Sequence, residues 1–131
     1  MEQDRANVIK EELTEKGNHF LAVYVEAKNS ILVLLSEHED KLGTMAIAVP
    51  RPKDLLGPVT SSLLFGDRFA ISARLFAEYV ASKKGKIAVV SVYLEKLTEM
   101  QAQAYFQRLL EKVLSNEIAA EAAKAKEAEK L

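Results

Sequence analysis

The sequence predicts an α+β domain: a six-stranded, mostly antiparallel sheet with two helices on one face, in the order β-β-β-β-β-α-β-α. Three observations carry this. Short apolar segments, alternating or continuous, recur from Val8 to Phe65 between clusters of Gly, Asn, Pro and Ser. Apolar residues at helical spacing begin only after Asp67 and again after Thr98. Between those two helical stretches lies one further apolar run, Ile87–Leu94, of strand length.

Val8–Lys16 is compatible with helix or strand. The Gly17-Asn18 break favours strand, because a turn there joins it as a hairpin to the segment beginning at His19. His19–Ala27 alternates, with Leu21, Val23, Val25 and Ala27 on one face and Phe20, Ala22, Tyr24 and Glu26 on the other. After a Lys28-Asn29-Ser30 turn, Ile31–Leu35 is apolar on both faces, the pattern of a strand buried from both sides. Glu37–Gly43 is a polar connection to a strand over Thr44–Val49. Pro50-Arg51-Pro52 ends that strand, since proline has no N–H to give to a ladder. Arg51–Pro58 carries two of the three prolines and a glycine and reads as an irregular loop. Val59–Phe65 is a short strand closed by Gly66.

Asp67 is a candidate N-cap for a helix to about Lys84, with Phe69, Ala73, Phe76 and Val80 as its apolar stripe and Gly85 as its C-cap. Lys86–Leu94 is again apolar on both faces. Thr98 and Gln101 stand in the capping-box relation at the start of the last helix, whose stripe is Ala102, Phe106, Leu109 and Val113. The folded domain is expected over residues 1–115. Residues 116–131 are nearly all Ala, Glu and Lys, strong helix formers with little to bury. A helix continued to Leu131 would run ~50 Å, beyond the ~36 Å width of a compact domain of this size, so its end is expected to project or fray.

Composition excludes several classes of function. The chain has 131 residues, with hydrophobic residues at 49% and charged residues at 28%, ordinary values for one globular domain. Eighteen basic and nineteen acidic side chains leave a formal net charge of −1, without the basic excess that nucleic acid or an anionic membrane surface requires. The absence of cysteine removes disulfides, thiolate metal sites and thiol nucleophiles together. Apolar runs such as Ile31–Leu35 are far too short to cross a bilayer, and the charged start Met1–Arg5 lacks the apolar core of a signal peptide. A cytoplasmic location is the expectation.

No constellation reads as a catalytic, cofactor or metal site. Glu37-His38-Glu39-Asp40 crowds four oxygen or nitrogen ligands together, but without the spacing of a calcium loop, so a solvated turn is expected. His19 and His38 have neither helical zinc spacing nor a nucleophile motif beside them. In Lys83-Lys84-Gly85-Lys86 the glycine closes a helix and leads into a strand, the reverse of a phosphate loop. Those lysines have a structural reason in opposing the helix macrodipole.

What remains is a covering problem. Six strands at ~4.8 Å spacing make a sheet nearly 30 Å wide, and two helices shield only one of its faces. Strands apolar on both faces therefore point to an interface, and a second copy stacked on the open face is the economical cover. Val33, Leu35, Val90 and Val92 are the candidate dimer residues. Alternatively, Pro50–Pro58 and the amino terminus fold over that face. Arg51, Lys53, Asp54 and Leu55, on the Pro/Gly-rich loop, are candidate partner contacts.

The order of elements and several strings resemble the third and fourth proteasome assembly chaperones. Ile31-Leu32-Val33-Leu34-Leu35 followed by Lys41-Leu42-Gly43-Thr44-Met45 is similar to the central strands of the third. Pro58-Val59-Thr60-Ser61-Ser62-Leu63-Leu64 with Phe65-Gly66-Asp67 is similar to the fourth, and Ser72–Lys84 with Ile87–Leu94 to the helix and final strand of that family. The resemblance implies a small non-enzymatic α+β protein, without cofactor, that binds proteasome α-subunits during α-ring formation. One chain resembling both members implies an undifferentiated, archaeal-type relative that pairs with itself. It also implies a mobile Val49–Pro58 loop near partner contacts. The Ala/Glu/Lys tail is longer than such proteins usually carry. Glu129-Lys130-Leu131 does not match the hydrophobic-tyrosine-any ending of other proteasome binders, so docking is expected through the folded body. A dimeric scaffold of roadblock or longin type, which also backs a sheet with helices, is the alternative.

Overall fold

Asn7–Glu15 (β1) and Asn18–Glu26 (β2) form an antiparallel hairpin, with Glu15 opposite Asn18. Its turn is Lys16-Gly17, one residue earlier than the sequence suggests. Both residues have positive φ, 53° and 79°, the two-residue turn whose twist matches the strands. Ser30–Glu37 (β3), Thr44–Val49 (β4), Thr60–Phe65 (β5), Ala70–Lys84 (α1), Ile87–Tyr93 (β6) and Glu99–Lys130 (α2) complete the expected order. The computed structural model describes residues 5–51 and 59–130, the side chains of 117–130 excepted.

The sheet order is β1-β2-β3-β6-β4-β5. All neighbours run antiparallel except β3 and β6, which are parallel. The chain thus returns through α1 to insert β6 into the middle of the sheet. Register settles the two faces. Tyr24 lies opposite Val33, Val33 opposite Val90, and Val90 opposite Ala46, so these four share one face. All four are fully buried.

Both helices lie on that face. Phe20 stacks on Tyr105 and meets Phe106 edge-on, which anchors α2 over the β1–β2 hairpin. Phe76 of α1 meets Phe106 from the other side, closing the core between the helices. Over β4 and β6, α1 presents buried Ala73, Ala77 and Ala81, and the sheet presents buried Ala46, Ala48 and Ala88. Small side chains on both partners let the helix approach closely.

The helix ends follow local chemistry, with one exception. Thr98 and Gln101 exchange their capping bonds, at 3.0 Å to the Thr98 N–H and 3.3 Å from the Gln101 N–H. Gly85 closes α1 through its N–H to the Ala81 carbonyl at 2.8 Å. Asp67 does not cap α1. The helix starts at Ala70 with Phe69 at the cap position and no side-chain cap bond, because a turn at Arg68-Phe69 is needed to sink the Phe69 ring into the core.

Arg108, Lys112 and Asn116 of α2 hold Glu15 and Glu11 of β1, so α2 is tied to that edge of the sheet as far as Asn116. Its last buried apolar residues, among those whose side chains are described, are Val113 and Leu114. A chain truncated after Ser115 should therefore remain folded, with stability in urea lowered by no more than about 1 kcal/mol. Loss of cooperative unfolding would show that the distal helix belongs to the core.

Candidate protein-binding faces

On the face away from the helices, Leu21, Val23 and Val25 of β2 lie beside Leu32 and Leu34 of β3. Next across the sheet come Ile87 and Val89 of β6 and then Met45 and Ile47 of β4. None of these side chains is buried; Leu32 is 38% exposed. The margins of this face are mostly polar: Lys10, Glu12 and Thr14 with Val8 on β1, and Thr60 and Ser62 with Phe65 on β5. Apolar centre and polar rim is the anatomy of a protein interface.

The Glu37–Gly43 connection overlies one end of this face. Ser36 Oγ accepts from the Lys41 N–H and donates to the Lys41 carbonyl, both at 3.1 Å, and the Gly43 N–H donates to Ser91 Oγ at 2.8 Å. Only glycine fits at Gly43, where a Cβ would stand 2.1 Å from the Val92 carbonyl oxygen. Lys41 then lies over the Tyr93 ring, 5.1 Å from its centre, with Glu39 and Glu95 within 3.4 and 3.5 Å. The Tyr93 hydroxyl and Glu39 raise the pKa of its ammonium above the ordinary lysine value. This cluster forms a charged border on the open face.

The candidate dimer residues require correction. Val33, Leu35, Val90 and Val92 point at the helices and are fully buried within the chain, so a second copy cannot touch them. The residues of opposite parity on the same strands, Leu32, Leu34 and Val89, line the open face instead. Ile31–Leu35 is thus buried from one side only within a single chain. Of the loop candidates, Arg51 is exposed just beyond β4, while Lys53, Asp54 and Leu55 lie outside the described residues.

Two carboxylates expected to be ordinary have structural roles. Glu37, assigned to a solvated turn, is the last residue of β3 and is 2% exposed. Its Oε1 accepts the N–H groups of Glu95, Lys96 and Leu97 at 3.1, 3.2 and 3.2 Å, fixing the chain between β6 and α2. Glu26 is buried beneath the C-terminal end of α1. It accepts the Tyr24 hydroxyl and the Lys86 ammonium, each at 2.6 Å, with Lys84 3.4 Å away. The lysines of the Lys83–Lys86 stretch therefore do more than oppose a helix dipole. A polar residue at the end of an otherwise apolar inward parity, as at Glu26, was the available sequence signal. Among the described residues, no three acidic or histidine side chains group as metal ligands. No helix there is long and apolar enough to cross a membrane.

No family model matches the sequence, and no curated protein matches it. Solved structures do. The fold is similar to that of a chain in the crystal structure of a chaperone complex for yeast 20S proteasome assembly. The match has a TM-score of 0.65 over 87% of this chain and 96% of that one, at 14% identity. At that identity the likeness is one of fold.

Proposed function

We propose that this chain is a homodimeric, non-enzymatic chaperone of proteasome assembly that binds α-subunits during α-ring formation. The observation that carries the reading is the open apolar sheet face with its mostly polar rim, on a fold shared with a proteasome assembly chaperone. Six strands at ~4.8 Å and about 20 Å of strand length give each copy roughly 600 Å² to contribute, so a face-to-face pair buries about 1,200 Å², the lower end for a stable interface. The family resemblance supports α-subunits as the client, engaged through the folded body and the loop that begins at Arg51.

Light scattering should give twice the 14.5 kDa chain mass. Leu34→Glu and Val89→Lys should each yield a folded monomer, because neither side chain belongs to the core beneath the helices. A wild-type monomer at micromolar concentration would sink the dimer. A dimer that fails to capture purified proteasome α-subunits would sink the assembly role and leave the dimer standing.

A further inference from the structure

The two edges of the sheet are treated differently. β1 carries Lys10, Glu11, Glu12 and Glu15, and α2 is tied along it. Charges of this kind block the addition of a foreign strand. β5, the opposite edge, has the sequence Thr-Ser-Ser-Leu-Leu-Phe, with neither charge nor proline. Its register with β4 is regular over Thr60–Leu63 and shifts only beyond, at Met45/Ala46. Leu63, opposite Ala46 on the helix side of the sheet, is 39% exposed.

The side of α1 nearest this edge carries, beside the polar Arg74 and Glu78, two apolar side chains that no described residue covers. Arg74 Nε donates to Ser61 Oγ at 3.0 Å, and Ser61 in turn donates to Glu78, which sets that side of the helix over β5. Ile71 and Leu75 fall on the same side by helical spacing and are 70% and 46% exposed.

We propose that the β5 edge and the Ile71/Leu75 stripe of α1 together receive an extended segment of a partner protein by strand addition. A row of backbone N–H and C=O groups selects an extended chain. A strand seated ~4.8 Å beyond β5 turns alternate side chains toward α1, so apolar residues at every second position bury Ile71 and Leu75. The ladder is short, and an edge ~20 Å long and ~10 Å deep offers about 200 Å², well below the ~800 Å² per partner of a stable pair of folded domains. That favours a flexible segment over a second copy. Leu63 and the α1 stripe lie on the helix side of the sheet, away from the open face that Thr60, Ser62 and Phe65 border, so the inference does not depend on the dimer.

The test is selection of displayed peptides about ten residues long on the immobilised full-length protein. Selected sequences should alternate apolar residues and slow amide exchange at Thr60–Leu63 when bound. Their affinity should fall about tenfold or more for Ile71→Glu and Leu63→Lys, with the oligomeric mass unchanged. Failure to select any peptide, binding without protection of Thr60–Leu63, or equal binding to both variants would overturn the proposal. A drop in oligomeric mass in Leu63→Lys would assign the edge to a second copy and overturn it as well. Should a variant fail to unfold cooperatively, exchange protection in the wild-type chain decides alone.

Discussion

Glu37→Ala is expected to lower stability by about 3–5 kcal/mol and the melting temperature by roughly 10–20 °C. One buried carboxylate oxygen accepts three successive backbone N–H groups, those of Glu95, Lys96 and Leu97. Truncation removes three charge-assisted bonds and leaves their donors without that acceptor in a partly buried turn. A domain of this size has only about 5–15 kcal/mol in total, so the variant would be marginal. Glu37→Gln keeps one acceptor oxygen and should lose less. The loss should be local in origin, since those residues set where Thr98 starts α2, and slowed exchange at that helix start should disappear first. A melting temperature within about 2 °C of wild type would mean that the turn holds itself without Glu37.

Glu26→Gln should cost about 2–3 kcal/mol near neutral pH, and the cost should shrink in acid. Burial pushes the carboxyl pKa upward, but hydrogen bonds from Lys86 and Tyr24 and the charges of Lys84 and Lys86 outweigh it and hold it below the ordinary glutamate value. With a folded pKa below the unfolded one, the stabilisation is complete above the unfolded value of 4.5 and is lost as pH falls through the folded one. The amide cannot supply the charge that balances two lysines. Below the folded pKa the wild-type carboxyl is protonated and has lost the same charge. Urea unfolding of both proteins at about pH 7 and about pH 3 measures the gap between them. A gap that does not change with pH would assign the loss to side-chain packing instead of to the ion pair.

How much of this was legible in the sequence depended on whether the signal was local. Gly85, Thr98 with Gln101, and Pro50 act within a few residues of themselves, and the elements they bound lie where expected. Asp67 failed as a cap because a distant demand, burial of Phe69, set the turn. Strand parity was ambiguous for the same reason. In Ile31–Leu35 and Ile87–Tyr93 both parities are apolar, so periodicity could not say which would meet the helices. Ser36 and Ser91 on the outward parity, and the matching alanines of β4, β6 and α1, were the only hints.

The sequence by itself determined the number, order and kind of elements, the caps at Gly85 and Thr98, and the existence of more apolar strand surface than two helices can cover. These follow from periodicity and from bonds between near neighbours. The tertiary structure alone decided that β6 inserts between β3 and β4, and hence which parity is buried. It alone brought Glu37 to the turn before α2 and Glu26 to Lys84 and Lys86, and among the described residues left the β5 edge without a neighbour while α2 lies along β1. Each of these joins groups far apart in the chain, and a contact of that kind exists only once register and crossover have fixed what lies opposite what.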